Sequence, residues 1–376
     1  MPANAATEEK NLIDGALSRL RDILPGSWKA EATSQTMASQ DPTKPARVVD
    51  ALITITSPQG MATTLIVEAK STFAPRDVER FLSGVASQLR ILNQGYPILV
   101  VAPWLSQRSQ EVLTAEDINY LDLTGNTRIA INTPPLFVMT NGENKNPAPP
   151  PRGVARLKGP KAGRLVRFLL DVSPPYGVSQ IAAATQMALG YISRLLESLD
   201  EDAIIDRSRR GQVLRVDIPA LMRRWTQTYE VFKSNEVSSF VAPQGPIALL
   251  NQIAQTPTPQ VAVTGSFSAT RIAPVAAPAL LVLYCDEPKL FVPSTGLLPA
   301  DTGANVIILK PFDSVVWDRT QTEQNITYVS VSQTTADCLS GNGRMPAEGE
   351  ALINWMTENE GEWRSPPLIQ QRSSDE

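Results

Sequence analysis

Residues 178–199 read VSQIAAATQMALGYISRLLESL and form the strongest local pattern in the chain. The first part of this stretch has the composition of a short helix, the middle that of a tight turn, and the part from Tyr191 onward that of a second helix. The second helix carries apolar residues at spacings of three and four, namely Ile192, Leu195, Leu196 and Leu199. This stripe predicts that the second helix packs on the first and on a preceding apolar helix at 163–170, which leaves Tyr191 and Arg194 on its outer face.

A β-hairpin is predicted directly after this helix. Residues 203–206 (AIID) and 212–217 (QVLRVD) have the composition of strands. The turn between them contains Arg207, Arg209 and Arg210. Because cationic side chains at the tip of a hairpin can reach DNA phosphates or the minor groove, we treat these arginines as candidate DNA contacts.

The helices and the hairpin together, over residues 163–217, resemble winged-helix DNA-binding domains. The resemblance implies that the helix beginning near Tyr191 enters the major groove of double-stranded DNA. Tyr191 and Arg194 would contact base edges, since arginine can bind guanine through two hydrogen bonds, and the three hairpin arginines would fix the position of the duplex. The alternative interpretation is a winged helix that contacts a protein.

Charge is distributed unevenly along the chain, whose net charge is −4. Residues 145–225 contain 14 Lys/Arg and 7 Asp/Glu, a net charge of +7, whereas residues 1–144 have a net charge of −3 and residues 226–376 one of −8. A basic middle between two acidic flanks is the electrostatic pattern expected of a nucleic-acid-binding module. A solvated basic linker would give the same pattern.

The composition excludes several classes of site. The chain contains no histidine, which rules out serine–histidine and cysteine–histidine catalysis and histidine-ligated metals. The two cysteines, Cys285 and Cys338, are too few for a four-cysteine zinc site or a disulfide scaffold, and they favour a reducing cytoplasmic location. We expect no membrane insertion and no secretory signal, because no apolar run is long enough to span a bilayer and residues 1–10 are polar.

The N-terminal part of the chain alternates helical and strand patterns. Residues 11–24 have apolar side chains at helical spacing, and residues 50–57 and 63–71 read as two strands joined by a Pro-Gln-Gly turn. A helix at 76–92 then precedes a buried strand at 96–102. This order predicts a mixed sheet covered by helices on at least one face.

Two carboxylates and a lysine fall on the predicted hairpin. Asp50 opens the first strand, and Glu68 and Lys70 lie on one face of the second, because strand side chains alternate between faces. Paired carboxylates can hold Mg²⁺ through oxygen ligands. A neighbouring lysine can orient a water molecule and offset charge that develops on a phosphate. A solvated Glu–Lys surface pair is the alternative.

The spacing of these three residues, on a hairpin that follows an N-terminal helix, resembles the PD-(D/E)XK nuclease superfamily over about residues 8–132. The resemblance implies a restriction-endonuclease-like sheet in which Asp50, Glu68 and Lys70 are catalytic, with the two carboxylates as Mg²⁺ ligands. Val49 stands where a proline gives the motif its name. Relatives of such folds also serve as binding scaffolds without catalysis.

The same resemblance points to two accessory positions. Glu9 matches the carboxylate that the first helix supplies, although Glu8 and Asp14 compete for that role. Gln88 matches a helix glutamine found in some members.

The remainder of the chain consists of a linker and a C-terminal region. Residues 141–161 are rich in proline and basic residues, which predicts an extended linker. The C-terminal region alternates apolar runs with turns, and four of these runs are predicted as strands: 261–265, 279–285, 289–293 and 304–312. Residues 326–339 are expected to begin as a strand and continue as a helix, and 347–356 to form an amphipathic helix.

Several short motifs along this part of the chain resemble the AbiEi-type antitoxin and transcriptional-regulator family of bacteria. They are Tyr120–Asn126 (YLDLTGN), the winged helix, Val263–Gly265, Gly303–Val306 and Asp337–Leu339, and together they cover most of residues 118–356. Membership would imply promoter binding through the winged helix, and autoregulation beside a gene for a nucleotidyltransferase-like toxin.

The sequence therefore predicts an α/β and α+β multidomain protein. Its parts are a PD-(D/E)XK nuclease-like domain at 1–140, the linker at 141–161, a winged helix-turn-helix at 162–225 and a C-terminal α+β antitoxin-like domain at 243–363.

The first functional hypothesis is a bacterial, cytoplasmic DNA-binding regulator. It would need no cofactor to bind DNA, a toxin is its candidate partner, and a homodimer is its candidate oligomeric state.

The rival hypothesis is a Mg²⁺-dependent endonuclease targeted by its winged helix. A third interpretation is a protein-interaction platform that binds no nucleic acid.

Overall fold

The computed structural model describes residues 2–33, 36–37, 47–82, 96–148, 157–255 and 259–366 of the chain, which is mixed α/β throughout. The chain divides into two compact units. One comprises Met1–Val154 and Glu201–Ala203, and the other Ala155–Asp200 and Ile204–Glu376. Each unit contains a seven-stranded sheet.

The first unit begins with a long helix and continues into its sheet. Its helices are α1 (Pro2–Ile23), α2 (Pro75–Phe81) and α3 (Gln107–Ala115). Its strands are β1 (Lys29–Thr33), β2 (Thr36–Met37), β3 (Arg47–Val48), β4 (Ala51–Thr56), β5 (Ala62–Ala69), β6 (Ile98–Ala102), β7 (Asn119–Asp122), β8 (Thr127–Ile131) and β9 (Leu136–Thr140). The helix predicted at 76–92 is described only up to residue 82, and Gln88 lies outside the described residues.

The sheet of the first unit has the order β1-β4-β5-β6-β7-β8-β9. The first three strands are antiparallel, β5, β6 and β7 run parallel, and the last two strands are again antiparallel. The parallel connections pass through α2 and α3, as parallel strands require a crossover. The strands β2 and β3 form a separate two-stranded ribbon.

Both faces of this sheet are covered by helices. On one face α1 buries residues at every fourth position, which matches helical geometry: Leu12, Ala16, Leu20 and Leu24. They pack with strand residues such as Ile53, Leu65 and Val67. On the other face Val78 of α2 and Leu113 of α3 cover a second cluster. The central strand β6 is buried along its whole length, as expected for a strand covered on both faces.

The second unit contains more helices. They are α4 (Pro160–Asp171), α5 (Val178–Thr185), α6 (Leu189–Glu201), α7 (Ile218–Thr226), α8 (Val231–Ser234), α9 (Pro246–Gln255), α10 (Gly265–Ala269), α11 (Pro288–Thr295), α12 (Val331–Leu339), α13 (Met345–Glu358) and α14 (Glu360–Trp363), with a 3₁₀ turn at Ser314–Trp317. Its strands are β10 (Ile205–Arg207), β11 (Val213–Val216), β12 (Glu236–Val241), β13 (Val261–Thr264), β14 (Leu281–Cys285), β15 (Leu298–Pro299), β16 (Val306–Lys310), β17 (Gln321–Glu323) and β18 (Ile326–Tyr328).

Helices α4, α5 and α6 are followed by an antiparallel pair, β10 and β11. The apolar stripe of α6 is buried, so the predicted packing of Ile192, Leu195, Leu196 and Leu199 is confirmed. The hairpin joins the helices through the backbone of Tyr176, whose amide and carbonyl bond to those of Val213. Helices and hairpin therefore share one core.

The larger sheet of the second unit has the order β15-β12-β16-β14-β13-β18-β17. Its second strand, β12, lies before residue 243, where the sequence predicts the C-terminal domain to begin. The strand predicted at 289–293 is wrong, because these residues belong to α11. Pro288 occupies the first turn of this helix and Gly296 ends it in the left-handed conformation, and only Phe291 is buried.

One hydrophobic core joins the helix–hairpin region to the larger sheet. Its members include Leu169 of α4, Trp225 of α7, Tyr284 of β14, Ala336 of α12 and Met356 of α13, all nearly inaccessible to solvent. Residues 157–226 and the C-terminal sheet are consequently packed as one body rather than as two separately closed domains. Among the described residues, no helix combines the length and the apolar character that crossing a bilayer would require.

Candidate nucleic-acid interface and carboxylate cluster

Asp50, Glu68 and Lys70 lie at one end of the β4–β5 hairpin. The register pairs Ala51 with Val67, so Asp50, which directly precedes β4, is level with Glu68. The Asp50 carboxylate accepts a hydrogen bond of 2.7 Å from the Ala69 amide. The Lys70 ammonium donates to Oε1 of Glu68 at 2.6 Å. The hairpin thus holds both carboxylates and the lysine at the carboxyl end of β5.

Glu9 of α1 joins this cluster. Its carboxyl group lies beside that of Asp50, close enough to raise the pKa of the Asp50 carboxyl. Burial raises the pKa of Asp50 above its usual value; the Ala69 amide opposes the increase and the neighbouring Glu9 adds to it. The Lys70 charge is close enough to lower the same pKa. The four side chains form what we call the carboxylate cluster: Glu9, Asp50, Glu68 and Lys70.

The carboxylate cluster offers a narrow set of metal ligands. The carboxyl groups of Glu9 and Asp50 lie side by side, so a divalent cation could take ligands from both. Glu68, a predicted Mg²⁺ ligand, forms an ion pair with Lys70 through Oε1. Within the described ranges no three His, Cys, Asp or Glu side chains are arranged to hold a metal. The cluster fits Mg²⁺ only as an ion that two carboxylates hold and that keeps oxygen ligands from water or phosphate.

Arg209 and Arg210 occupy the tip of the β10–β11 hairpin. The turn is closed by the Gly211 amide, which donates to the Ser208 carbonyl at 2.9 Å, and by the Ser208 amide, which donates to Gln212 at 2.8 Å. Gly211 adopts a φ of 84°, a conformation that favours glycine. Both arginines are exposed, and neither bonds to another residue of the described chain. Their charges are therefore available to an external anion.

Arg207, the third hairpin arginine, is placed differently. It is half-buried, and its Nε lies 3.4 Å from the carbonyl of Gly211 across the turn. The structure thus separates the predicted trio into one arginine that folds over the turn and two that project from it.

The outer side of α6 is open at its N-terminal end. Leu189 is 53% exposed and Arg194 is exposed, with its Nε 3.3 Å from the carbonyl of Gly190. A Cβ atom at Gly190 would meet nothing within 4 Å. Tyr191 is half-buried against the core, and this burial raises the pKa of its hydroxyl. The first turn of α6 therefore presents a backbone that a flat or grooved partner can approach.

Ion pairs within the chain neutralise part of the positive charge of residues 145–225. The pairs are Arg164–Asp313 at 2.8 Å, Arg167–Asp171 at 3.0 Å, Arg215–Asp206 at 2.6 Å and Arg223–Glu350 at 2.8 Å. Two of them attach this segment to acidic residues of the C-terminal region. Part of the basic charge in the sequence is therefore paired with carboxylates of the second unit and does not mark a surface for DNA.

A buried polar network in the second unit is not foreseen from the sequence. Arg167 of α4 donates to the Gln333 side chain at 2.9 Å, and Gln333 donates to Asp337 at 2.8 Å. Asp337 also accepts from the hydroxyls of Tyr229 and Thr264, each at 2.6 Å. The available signal was the pair Arg167 and Asp171, two opposite charges four residues apart in the apolar half of this helix.

The YLDLTGN motif has a structural role in the first unit. Asp122 is fully buried, and its carboxylate accepts hydrogen bonds of 2.9–3.0 Å from the amides of Leu105, Thr124, Gly125 and Asn126. It accepts two more from the Thr124 hydroxyl and the Asn126 amide group. The hydrogen bonds of the Asp122 carboxylate are all made inside the fold, so this residue stabilises the turn between β7 and β8.

Neither a scan of protein-family models nor searches of curated proteins and of solved structures finds a match to this chain.

Proposed function

We propose that the chain is a DNA-binding regulator that contacts duplex DNA through α6 and the β10–β11 hairpin, in the manner of a winged helix. The observation that carries the proposal is a pair of exposed arginines, Arg209 and Arg210, that form no ion pair with any described residue and lie at the tip of a hairpin that shares its core with α6. Arg194 adds a third exposed charge on the helix.

In this proposal the two elements have separate tasks. The first turn of α6, with its open surface at Gly190, enters the major groove, where Arg194 contacts base edges. Tyr191, half-buried, contributes the edge of its ring. Arg209 and Arg210 bind phosphates and fix the position of the helix, while Arg207 supports the turn that carries them.

The test measures the affinity for duplex DNA between 50 and 200 mM KCl by fluorescence anisotropy. We expect the double variant Arg209→Ala/Arg210→Ala to bind more weakly and to reduce the slope of log K against log salt by about two, since each phosphate contact contributes roughly one unit. Arg223→Ala removes an arginine that already pairs with Glu350 and is the matched control. Equal slopes for all three proteins would refute the proposal.

The AbiEi-type resemblance extends the proposal to a bacterial antitoxin that represses its own promoter, with a nucleotidyltransferase-like toxin as partner and with DNA bound as a homodimer. No metal takes part in DNA binding. The extension is tested by purifying the chain together with the product of the adjacent gene and asking whether both bind one promoter fragment.

A second candidate function rests on the carboxylate cluster. The close approach of Glu9 and Asp50, beside a lysine bonded to Glu68, is an arrangement that a Mg²⁺-dependent nuclease could use. Bound Mg²⁺ would supply a polarising charge for the phosphate. Asp50 and Glu9 would hold it, and Lys70 would orient the attacking water.

The nuclease candidate is tested by incubating supercoiled plasmid with Mg²⁺ or Mn²⁺. Cleavage that depends on metal and disappears in Lys70→Ala, but persists in the exposed control Lys10→Ala, would establish it. Absence of cleavage by the wild-type chain, or equal cleavage by both variants, would reject it and leave the cluster as a scaffold.

A further inference from the structure

A groove of about 710 Å³ lies in the second unit between β12 and α11. Its strand side is formed by Glu236, Ser238 and Phe240, and its helix side by residues 286–293. Leu290 projects from α11 and is 61% exposed. The groove thus combines an apolar wall with charged residues, and none of its residues belongs to the carboxylate cluster or to the proposed DNA surface.

The outer edge of β12 is only partly paired. Among the described strands, β15 bonds to this edge at Phe240 and Val241, and the Ala300 amide donates to the Ser239 carbonyl at 3.1 Å. Because backbone groups alternate in direction along a strand, the N–H and C=O of Val237 turn to the same edge. No described strand continues β15 alongside Glu236–Ser238. The strand that lines the groove therefore has a short free edge at Val237, between the groove residues Glu236 and Ser238.

The charges of the groove favour a cationic occupant. Three carboxylates line it, on Glu236, Asp286 and Glu287, and all three residues are exposed. None of them forms an ion pair with another residue of the described chain. Two lysines, Lys289 and Lys310, also line the groove. Because the carboxylates outnumber them, the net charge of the groove is negative. A bound segment gains most if its basic side chains face Glu236 and Glu287 and its apolar side chains face Leu290 and Phe240.

We propose that this groove is a docking site for an extended basic peptide segment of a partner protein, which pairs with the free edge of β12 as an added strand. Main-chain hydrogen bonds to Val237 supply affinity, and alternate side chains, which point to the same side every second residue, read the carboxylates and the apolar wall. This binding site goes beyond the proposed DNA contact and uses no residue of it.

The experiment uses the full chain and a fluorescein-labelled probe peptide, acetyl-Lys-Ser-Leu-Ser-Lys-Ser-amide, whose lysine and leucine side chains lie on one face of the extended strand. Fluorescence anisotropy should show saturable binding of this peptide. An acidic analogue with glutamate in place of each lysine should bind at least about tenfold more weakly, because like charges repel across the groove. An analogue N-methylated at alternate residues keeps the charge but cannot pair as a strand, and should also lose at least about fivefold in affinity.

Protein variants locate the site. Glu236→Lys/Glu287→Lys should weaken binding of the basic peptide at least about tenfold. Glu358→Lys/Glu362→Lys makes the same charge change at exposed positions outside the groove and should stay within twofold of wild type. Absence of saturable binding, equal affinity for the acidic or N-methylated peptide, or equal loss in both double variants would overturn the proposal. The peptide comparisons use the wild-type chain and so do not depend on how the variants fold.

Discussion

Asp337 is fully buried, and four side chains donate hydrogen bonds to it: Thr264, Tyr229, Gln333 and Tyr284. Burial raises its pKa to about 6, and the hydrogen bonds only partly offset the increase. The folded chain therefore keeps a proton here at pH values at which the unfolded chain, with a usual value of 3.8, has lost it. Binding of this proton stabilises the folded state. The stabilisation is fully present below pH 3.8 and is lost as the pH rises through about 6.

The first prediction concerns Asp337→Asn, which keeps the shape of the side chain but cannot ionise. Between pH 5 and pH 7.5 the wild type should lose about 1.4 kcal/mol of unfolding free energy relative to the variant, as the linkage relation gives for a pKa moved from 3.8 to about 6. Urea unfolding at the two pH values measures the difference, in which the contributions of all other groups cancel. An identical pH dependence of both proteins would contradict the assignment.

A second prediction at this scale concerns Asp122. Removing its carboxylate in Asp122→Ala leaves the backbone amides of Leu105, Thr124 and Asn126 without an acceptor in the interior, so the unfolding free energy of the first unit should fall by about 3 kcal/mol or more. Asp14→Ala, at an exposed position of α1, should change it by less than about 0.5 kcal/mol. Thermal unfolding followed by circular dichroism compares the two, and a mild effect at Asp122 would show that water replaces the carboxylate.

At the scale of elements, the sequence anticipates most of the helices and strands with a strong period. The stripe of α6 and the strand β4 are examples, because each buries one face and so repeats with its own period. The strand prediction for residues 289–293 is wrong because KLFVP is short and apolar, and over five residues the spacing of apolar side chains cannot distinguish a strand from a helix. Pro288 and Gly296, which bound α11, are the better guide there.

Candidate sites are less predictable than elements. The pairing of Glu68 with Lys70 follows from alternation along one strand, but Asp50 meets Glu9 only because α1 packs on the sheet. The charge of residues 145–225 shows the same limit. Composition counts Arg164 and Arg223 as available, and only tertiary structure pairs them with Asp313 and Glu350.

A third prediction tests the hairpin as an element. Gly211→Val places a β-branched residue at a φ of 84°, which costs about 1–2 kcal/mol and distorts the turn that presents Arg209 and Arg210. DNA affinity should fall although no charge is removed, while the core of the second unit stays folded. Gly361→Ala, at a position with open space and no such φ, is the control. Unchanged affinity of Gly211→Val in the anisotropy assay would separate the hairpin from DNA binding.

At the scale of the whole molecule, the second unit differs from a chain of independent modules. A DNA-binding module on a flexible linker needs its own closed core, but here α4 and α7 bury side chains against β14, α12 and α13. Arg167 is nearly inaccessible, and its guanidinium group donates to the carbonyls of Val315 and Asp318 as well as to Gln333. The helix–hairpin region and the C-terminal sheet thus share one interior.

The final prediction concerns fragments of the second unit. A fragment of residues 157–235 retains the helices, the hairpin and the Arg167–Asp171 ion pair, but it loses the other acceptors of Arg167 and leaves apolar side chains of the shared core without their C-terminal partners. Burial of one large apolar side chain contributes about 1.5–3 kcal/mol, so losing several such contacts removes a large fraction of the stability of a small domain. We expect this fragment to unfold without a cooperative transition and to give a poorly dispersed ¹H–¹⁵N spectrum. The fragment of residues 157–366, which contains the complete core, should unfold cooperatively and bind DNA with the same salt dependence as the full chain. A well-dispersed spectrum from residues 157–235 would show that the helices and the hairpin close their own core and that the shared interior is not required for their fold.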